Sequence, residues 1–200
     1  MLESVPARGS YDRFVMKDRS RSLVLIGLRG SGKSTIGAMI AERDGLEFAD
    51  LDTEVLRLLG CPDVRAAWER VGEAAFREGE ARALAEQLSL PARVLALGGG
   101  TPTAPGAAEM LVTARDRGSV VIVYLRATAE VLRSRLSSQT GGLHNRPSLT
   151  GKQALDEIDE VLTRRDGLYQ RVATRVLDAS GAASEVAGSL DGWREWAGPL

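Results

Sequence analysis

One cysteine and one histidine in 200 residues set the first limits. Cys61 alone forms no internal disulfide and fits a reducing compartment, and His144 alone excludes a multi-histidine metal site. Charge of either sign is not in excess. With 26 basic against 27 acidic residues the net charge is −1, so no global field draws nucleic acid or an anionic membrane, and any positive potential is local. No apolar run is long enough for a signal peptide or a membrane span, and the chain reads as cytoplasmic. Repeats and low-complexity segments are missing as well. What is present, 44% hydrophobic residues over a length suited to one domain, is enough for a core without disulfides or structural metal.

The most informative segment is residues 22 to 35, where the apolar run Leu23 to Ile26 leads into G-x-x-x-x-G-K-[ST] at Gly27, Gly32, Lys33 and Ser34. Backbone N–H groups converge on phosphate oxygens only where no Cβ blocks the approach, which is what the glycines supply. Lys33 then carries a charge to the β- and γ-phosphates, and the Ser34 hydroxyl is a ligand for Mg²⁺. Thr35 to Arg43 reads as a helix whose N-terminal dipole faces the same anion. The spacing predicts a nucleoside triphosphate site.

Further short apolar runs fall at Glu47 to Ala49, Val94 to Leu97, Val120 to Leu125 and Arg175 to Leu177, separated by helical stretches. That alternation predicts an α/β domain, a parallel sheet with helices on both faces, and it directs attention to the residues just after each strand. After the second run stand Asp50 and Asp52, at alternate positions that point the same way in an extended chain. Asp52 could cap a helix starting near Thr53, but beside a nucleotide two carboxylates suit two tasks, metal through water and a proton from an attacking hydroxyl. After the third run Gly98, Gly99 and Gly100 leave the main chain bare for close approach of a ligand. A helix-rich insert over residues 53 to 90 carries Arg77 and Glu80 on one helical face, so that Glu80 can orient the guanidinium. Residues 137 to 152, with Gly141, Gly142, Arg146 and Pro147, read as a lid whose arginine closes over the γ-phosphate. Residues 1 to 20 read as a loose extension, 21 to 185 as the domain built around the phosphate loop, and 186 to 200 as a short helix or tail that Trp193 and Trp196 could dock on the core.

Taken in order, Gly27 to Thr35, Phe48-Ala49-Asp50-Leu51-Asp52, Gly72-Glu73 with Phe76-Arg77 and Glu80, Gly98 to Gly100, Asn145-Arg146-Pro147, and Arg165 four residues before Tyr169 resemble the shikimate kinases, a family of phosphate-loop kinases akin to the nucleoside monophosphate kinases. The resemblance spans residues 22 to 180 and implies a three-layer α/β/α fold with five parallel strands in the order 2-3-1-4-5. It implies transfer of the γ-phosphoryl of ATP to the 3-hydroxyl of shikimate, with Mg²⁺ required, by a monomer. The implied catalytic residues are Lys33, Asp52 and Arg146. Gly30, Ser31, Gly32, Lys33, Ser34, Thr35, Arg135 and Arg146 would hold the nucleotide, with Asp178 to Gly181 lining the adenine. Asp52, Arg77, Gly99, Gly100 and Arg165 would hold shikimate, and Ser34 with Asp50, the latter through water, would serve the metal. Three features depart from the family pattern. Thr101-Pro102 follows the glycines where Ala or Ser and then Val are usual, which is expected to reshape the pocket wall. Gly167 stands where the family often has proline, and the lid is longer. The alternatives are another small-metabolite kinase, such as a gluconate kinase, and a catalytically silent nucleotide-binding module.

Overall fold

A computed structural model describes residues 20–138 and 157–196 of the chain. Five parallel strands, β1 (Ser22–Ile26), β2 (Glu47–Asp50), β3 (Arg93–Ala96), β4 (Val120–Arg126) and β5 (Arg175–Asp178), form one sheet in the order β2-β3-β1-β4-β5. This is the expected order, and the five apolar runs lie on the five strands to within two residues at either end. Helices α1 (Lys33–Asp44), α2 (Leu51–Leu59), α3 (Val64–Ser89), α4 (Ala107–Asp116), α5 (Ala129–Ser138) and α6 (Ile158–Val172) lie in the crossovers, and α7 (Ala183–Gly188) follows the last strand.

Strand periodicity divides the core. Leu23 and Leu25 of β1 join Val121 and Val123 of β4 against Ile36 and Ile40 of α1 and Val186 near the C-terminus. Val24 and Ile26 join Ile122 and Tyr124 on the opposite face, against Leu84 of α3, Leu111 of α4 and Val161 of α6. Both faces of β1 and β4 are therefore buried, which is why these strands read as unbroken apolar runs rather than as alternations.

Three local features go beyond or differ from expectation. The cap of α2 is Asp50, not Asp52: its carboxylate accepts from the Asp52 N–H at 3.0 Å, and the helix starts at Leu51, two residues early. The insert is two helices, α2 and α3, and α3 breaks at Gly72, whose φ of +79° no β-carbon-bearing residue adopts without strain. Ser137 and Ser138, the first two positions of the expected lid, belong to α5. The rest of that lid, with Arg146, and the extension before Ser20 lie outside the described residues. No helix among the described residues is long and apolar enough to cross a membrane.

The C-terminal segment is stapled to α1. Trp193 is fully buried, its indole N–H donates to Asp44 at 2.8 Å, and Arg194 reaches the same carboxylate oxygen at 3.0 Å. Burial pushes the Asp44 carboxyl up, but Arg43, Trp193 and Arg194 more than offset this and hold it below the ordinary aspartate value.

Candidate active site

The carboxyl ends of β1, β2 and β3 meet above the N-terminus of α1. Between β1 and α1 the loop turns at Gly27, Gly30 and Gly32, all with positive φ, and a Cβ on Gly27 would press on the Leu125 carbonyl and the Ser31 hydroxyl. Lys33 opens α1, is buried, and donates from Nζ to the carbonyls of Gly27 and Leu28 at 2.9 Å each. The ammonium therefore spans the loop that its own helix follows. Ser31 is fully buried, with an Oγ that has no hydrogen-bond partner among the described residues. Thr35, next in α1, is solvent-exposed.

Asp50 connects this loop to the insert. One carboxylate oxygen caps α2 and the other accepts from the Ser34 hydroxyl at 2.5 Å, so the start of α1 and the end of β2 are held together by one side chain. Serine hydroxyl and carboxylate are hard oxygen donors of the kind Mg²⁺ takes, and the ion ordinarily completes its shell with waters and substrate phosphates. The residues present fit that ion.

Beside the loop opens a cleft lined by Asp52 of α2, Arg77 and Glu80 of α3, Gly99 and Gly100 after β3, and Arg165 of α6. The expected acceptor residues thus converge from four elements separated by more than a hundred positions of sequence. Arg77 donates to Glu80 at 2.6 Å and lies 5.5 Å above the Trp68 ring. Arg165 donates to the Gly99 carbonyl at 2.8 Å, and the Tyr169 hydroxyl donates to the same oxygen. Burial pushes the Tyr169 phenol up, against Arg165 and Arg77, so it stays protonated and remains a donor. A Cβ on Gly100 would overlap the Arg77 guanidinium, and one on Gly98 would overlap the Asp52 carboxylate. Those glycines are there for close approach, with side chains of this same protein as the near neighbours.

On the other side of the loop Arg135 donates to the carbonyls of Gly30 at 3.4 Å, Ser180 at 3.1 Å and Gly181 at 2.7 Å. The residue expected at the adenine therefore joins the phosphate loop to the turn after β5. Thr101 and Pro102 are buried and do not themselves line the cleft; Thr101 lies behind Glu80. Gly167 lies inside α6 without breaking it.

Several residues of the site are not legible as such in the sequence. Arg29, inside the phosphate loop, pairs with Glu157 at the start of α6, and both line the cleft. Glu157 is fully buried, and only the fold brings it within reach of a residue 128 positions away. Trp68 lines the cleft too, with a buried indole N–H that has no partner among the described residues. Apolar walls come from Val64, Phe76, Leu132, Ile158 and Val161. Their signal, helical periodicity, does not separate pocket from core.

The family model described as "Shikimate kinase" matches residues 29–190. A shikimate kinase of Oleidesulfovibrio alaskensis is 39% identical over 172 residues, which cover 84% of this chain and 94% of that protein. Shikimate kinase 2 of Yersinia pestis is 38% identical over 167 residues, covering 84% and 91%. Among solved structures, the shikimate kinase of Acinetobacter baumannii in complex with shikimate superposes with a TM-score of 0.77 at 32% identity, covering 88% of this chain and 93% of that one. A phosphate loop, a paired-carboxylate strand end and an arginine-lined cleft are thus carried by a chain that is like these proteins over 84–88% of its length, and the chain belongs to the shikimate kinase family.

Proposed function

We propose that this protein transfers the γ-phosphoryl group of ATP to the 3-hydroxyl of shikimate, giving shikimate 3-phosphate and ADP. The observation that carries the reading is the meeting of two chemistries in one cleft: Arg29 and Leu28 of the phosphate loop on one side, Asp52, Arg77 and Arg165 on the other. Phosphoryl transfer asks for in-line positioning and charge neutralisation more than for a covalent nucleophile. Arg77 and Arg165 present planar forks suited to the shikimate carboxylate, and the N–H groups of Gly99 and Gly100 serve as further donors. Asp52 accepts from the 3-hydroxyl and takes its proton as that oxygen bonds to the γ-phosphorus and the bond to the ADP oxygen breaks. Lys33 neutralises the transferring group, with Arg146 from the lid. Gly30, Ser31, Gly32 and Thr35 complete the phosphate cradle, and Arg135 lies against the adenine.

Ser34 and Asp50 would hold Mg²⁺, Asp50 through water. When bound, the ion offsets negative charge on the β- and γ-phosphoryl oxygens. Consumption of ATP supports a cytoplasmic site of action.

The test is ADP release from Mg·ATP by the purified protein, with shikimate and gluconate offered in turn. Turnover with shikimate alone is expected. Turnover with gluconate instead would overturn the acceptor assignment, and silence with both would overturn the activity.

A further inference from the structure

Behind the arginine that faces the cleft lies a buried relay. Glu80 is 1% exposed and Thr101 is 0% exposed, and neither is reached by bulk water. The Thr101 hydroxyl donates to one carboxylate oxygen of Glu80 at 2.7 Å, while Arg77 donates to the other at 2.6 Å. Each oxygen of the carboxylate thus has one donor, from opposite sides. The Thr101 side chain reaches Glu80 because Gly98, three residues earlier, carries no Cβ: one placed there would lie 2.9 Å from the Thr101 hydroxyl and 3.0 Å from the Glu80 oxygen that it holds.

We propose that Thr101 is a positioning residue for the acceptor substrate: by tethering Glu80 from behind, it fixes the second oxygen on Arg77 and so sets the guanidinium that receives the substrate carboxylate. The inference rests on the shikimate kinase reading given above, and through it on Arg77 as a carboxylate-binding group.

Arg77 has a competing acceptor. Glu73 lies one helical turn back, 3.6 Å from the guanidinium, and is exposed where Glu80 is buried. A planar fork shared between an inner and an outer carboxylate takes the orientation of the stronger partner, and a carboxylate in a dry site holds its cation well only while it stays ionised. Burial pushes the Glu80 carboxyl up, Arg77 and the Thr101 hydroxyl pull it down, and the net direction is upward. Loss of the hydroxyl therefore removes one of the two donors that keep Glu80 charged, and Arg77 is released toward Glu73. The groups facing Glu80 are Arg77 on its own helix, Asp52 from α2, Tyr169 from α6 and Thr101 from the turn after β3. Asp52 is a second carboxylate beside it, so the contribution of Glu80 is isolated by substitution.

The experiment compares Thr101→Val, which keeps the shape and removes the donor, with Thr101→Ser, which restores it, in steady-state assays with shikimate and Mg·ATP. Thr101→Val should raise the KM for shikimate by about tenfold, equivalent to about 1.4 kcal/mol, leave the KM for ATP within about twofold, and move the acid limb of kcat/KM for shikimate to higher pH. Thr101→Ser should return both readouts toward the parent. Glu80→Gln, a neutral near-isostere, should raise the KM for shikimate by itself, remove the Glu80 part of the acid limb, and make a second Thr101→Val change nearly silent.

An unchanged KM and acid limb in Thr101→Val would overturn the proposal, as would equal losses for both substrates that Thr101→Ser does not repair. If Thr101→Val does not fold, Glu80→Gln alone decides: a parental acid limb and KM would overturn it. Arg77→Ala run beside these variants separates the two levels. A raised shikimate KM in Arg77→Ala with no effect of Thr101→Val ends only the relay, whereas an unchanged KM in Arg77→Ala ends the carboxylate assignment and the relay together.

Discussion

Lys33 and Arg165 face the proposed reaction from opposite sides and should fail in different ways. Lys33 meets charge that builds up in the transition state, so Lys33→Met should lower kcat by about 100- to 1,000-fold while the circular dichroism spectrum stays that of the parent. Near-normal turnover would remove its role. Arg165 meets the ground-state carboxylate, and its own anchor, the Gly99 carbonyl, is also held by Tyr169. Arg165→Ala should therefore leave the loop in place and raise the KM for shikimate by about tenfold or more, with little change for ATP. Equal loss for both substrates would contradict that assignment. Trp68 gives a direct optical readout: it lines the cleft, while Trp193 is buried beside α1 and Trp196 lies near Arg175. Shikimate should change the tryptophan emission, and the change should vanish in Trp68→Phe. A response that persists would put the ligand elsewhere.

At the scale of elements, α6 is the member that joins catalysis to fold. It carries Arg165 and Tyr169 on the glycine loop, and its Asp166 accepts from Tyr124 and Arg126 of β4 at 2.9 Å. Gly167 lies in the middle of this helix, with helical φ, and a β-carbon added there would meet nothing nearer than the Arg171 guanidinium at 3.6 Å. A glycine there costs helix stability without gaining room. Gly167→Ala should stabilise the protein by about 0.4–1 kcal/mol, which for a chain of this size is a rise in Tm of roughly 1–4 °C, with kcat unchanged. A lowered Tm would mean that the glycine serves a close approach that the packing around α6 does not reveal.

For the whole molecule, the seam between α1 and the C-terminal segment couples stability to pH. Asp44 is held below the ordinary aspartate value in the fold, so its ionised form is the one the fold prefers. Its contribution is fully present above the unfolded-state pKa and disappears as pH falls through the lower, folded-state value. Asp44→Asn should therefore be less stable than the parent at about pH 7, and the difference should shrink toward about pH 3, read as urea midpoints. A difference that does not change with pH would show that packing around Trp193, not charge, carries the seam.

Much of this protein was legible along the chain. Five apolar runs placed five strands: β1, β3 and β4 are buried along nearly their whole length and read as unbroken runs, while the half-exposed edge strands β2 and β5 showed through their alternation with helices. Gly27 to Ser34 marked the proposed triphosphate site, because that cradle is made by local backbone geometry. Asp52, Arg77 and Arg165 stood out only in combination with it, and what unites them is the crossover topology that brings α2, α3 and α6 to one sheet edge. The tertiary structure alone decided the cap of α2 at Asp50, the pairing of Arg29 with Glu157, and the place of Thr101 behind Glu80 instead of in the pocket wall. The reason is physical: motif and periodicity are set by neighbours in sequence, whereas the partner of a buried charge is whichever group the packed fold brings within hydrogen-bond reach.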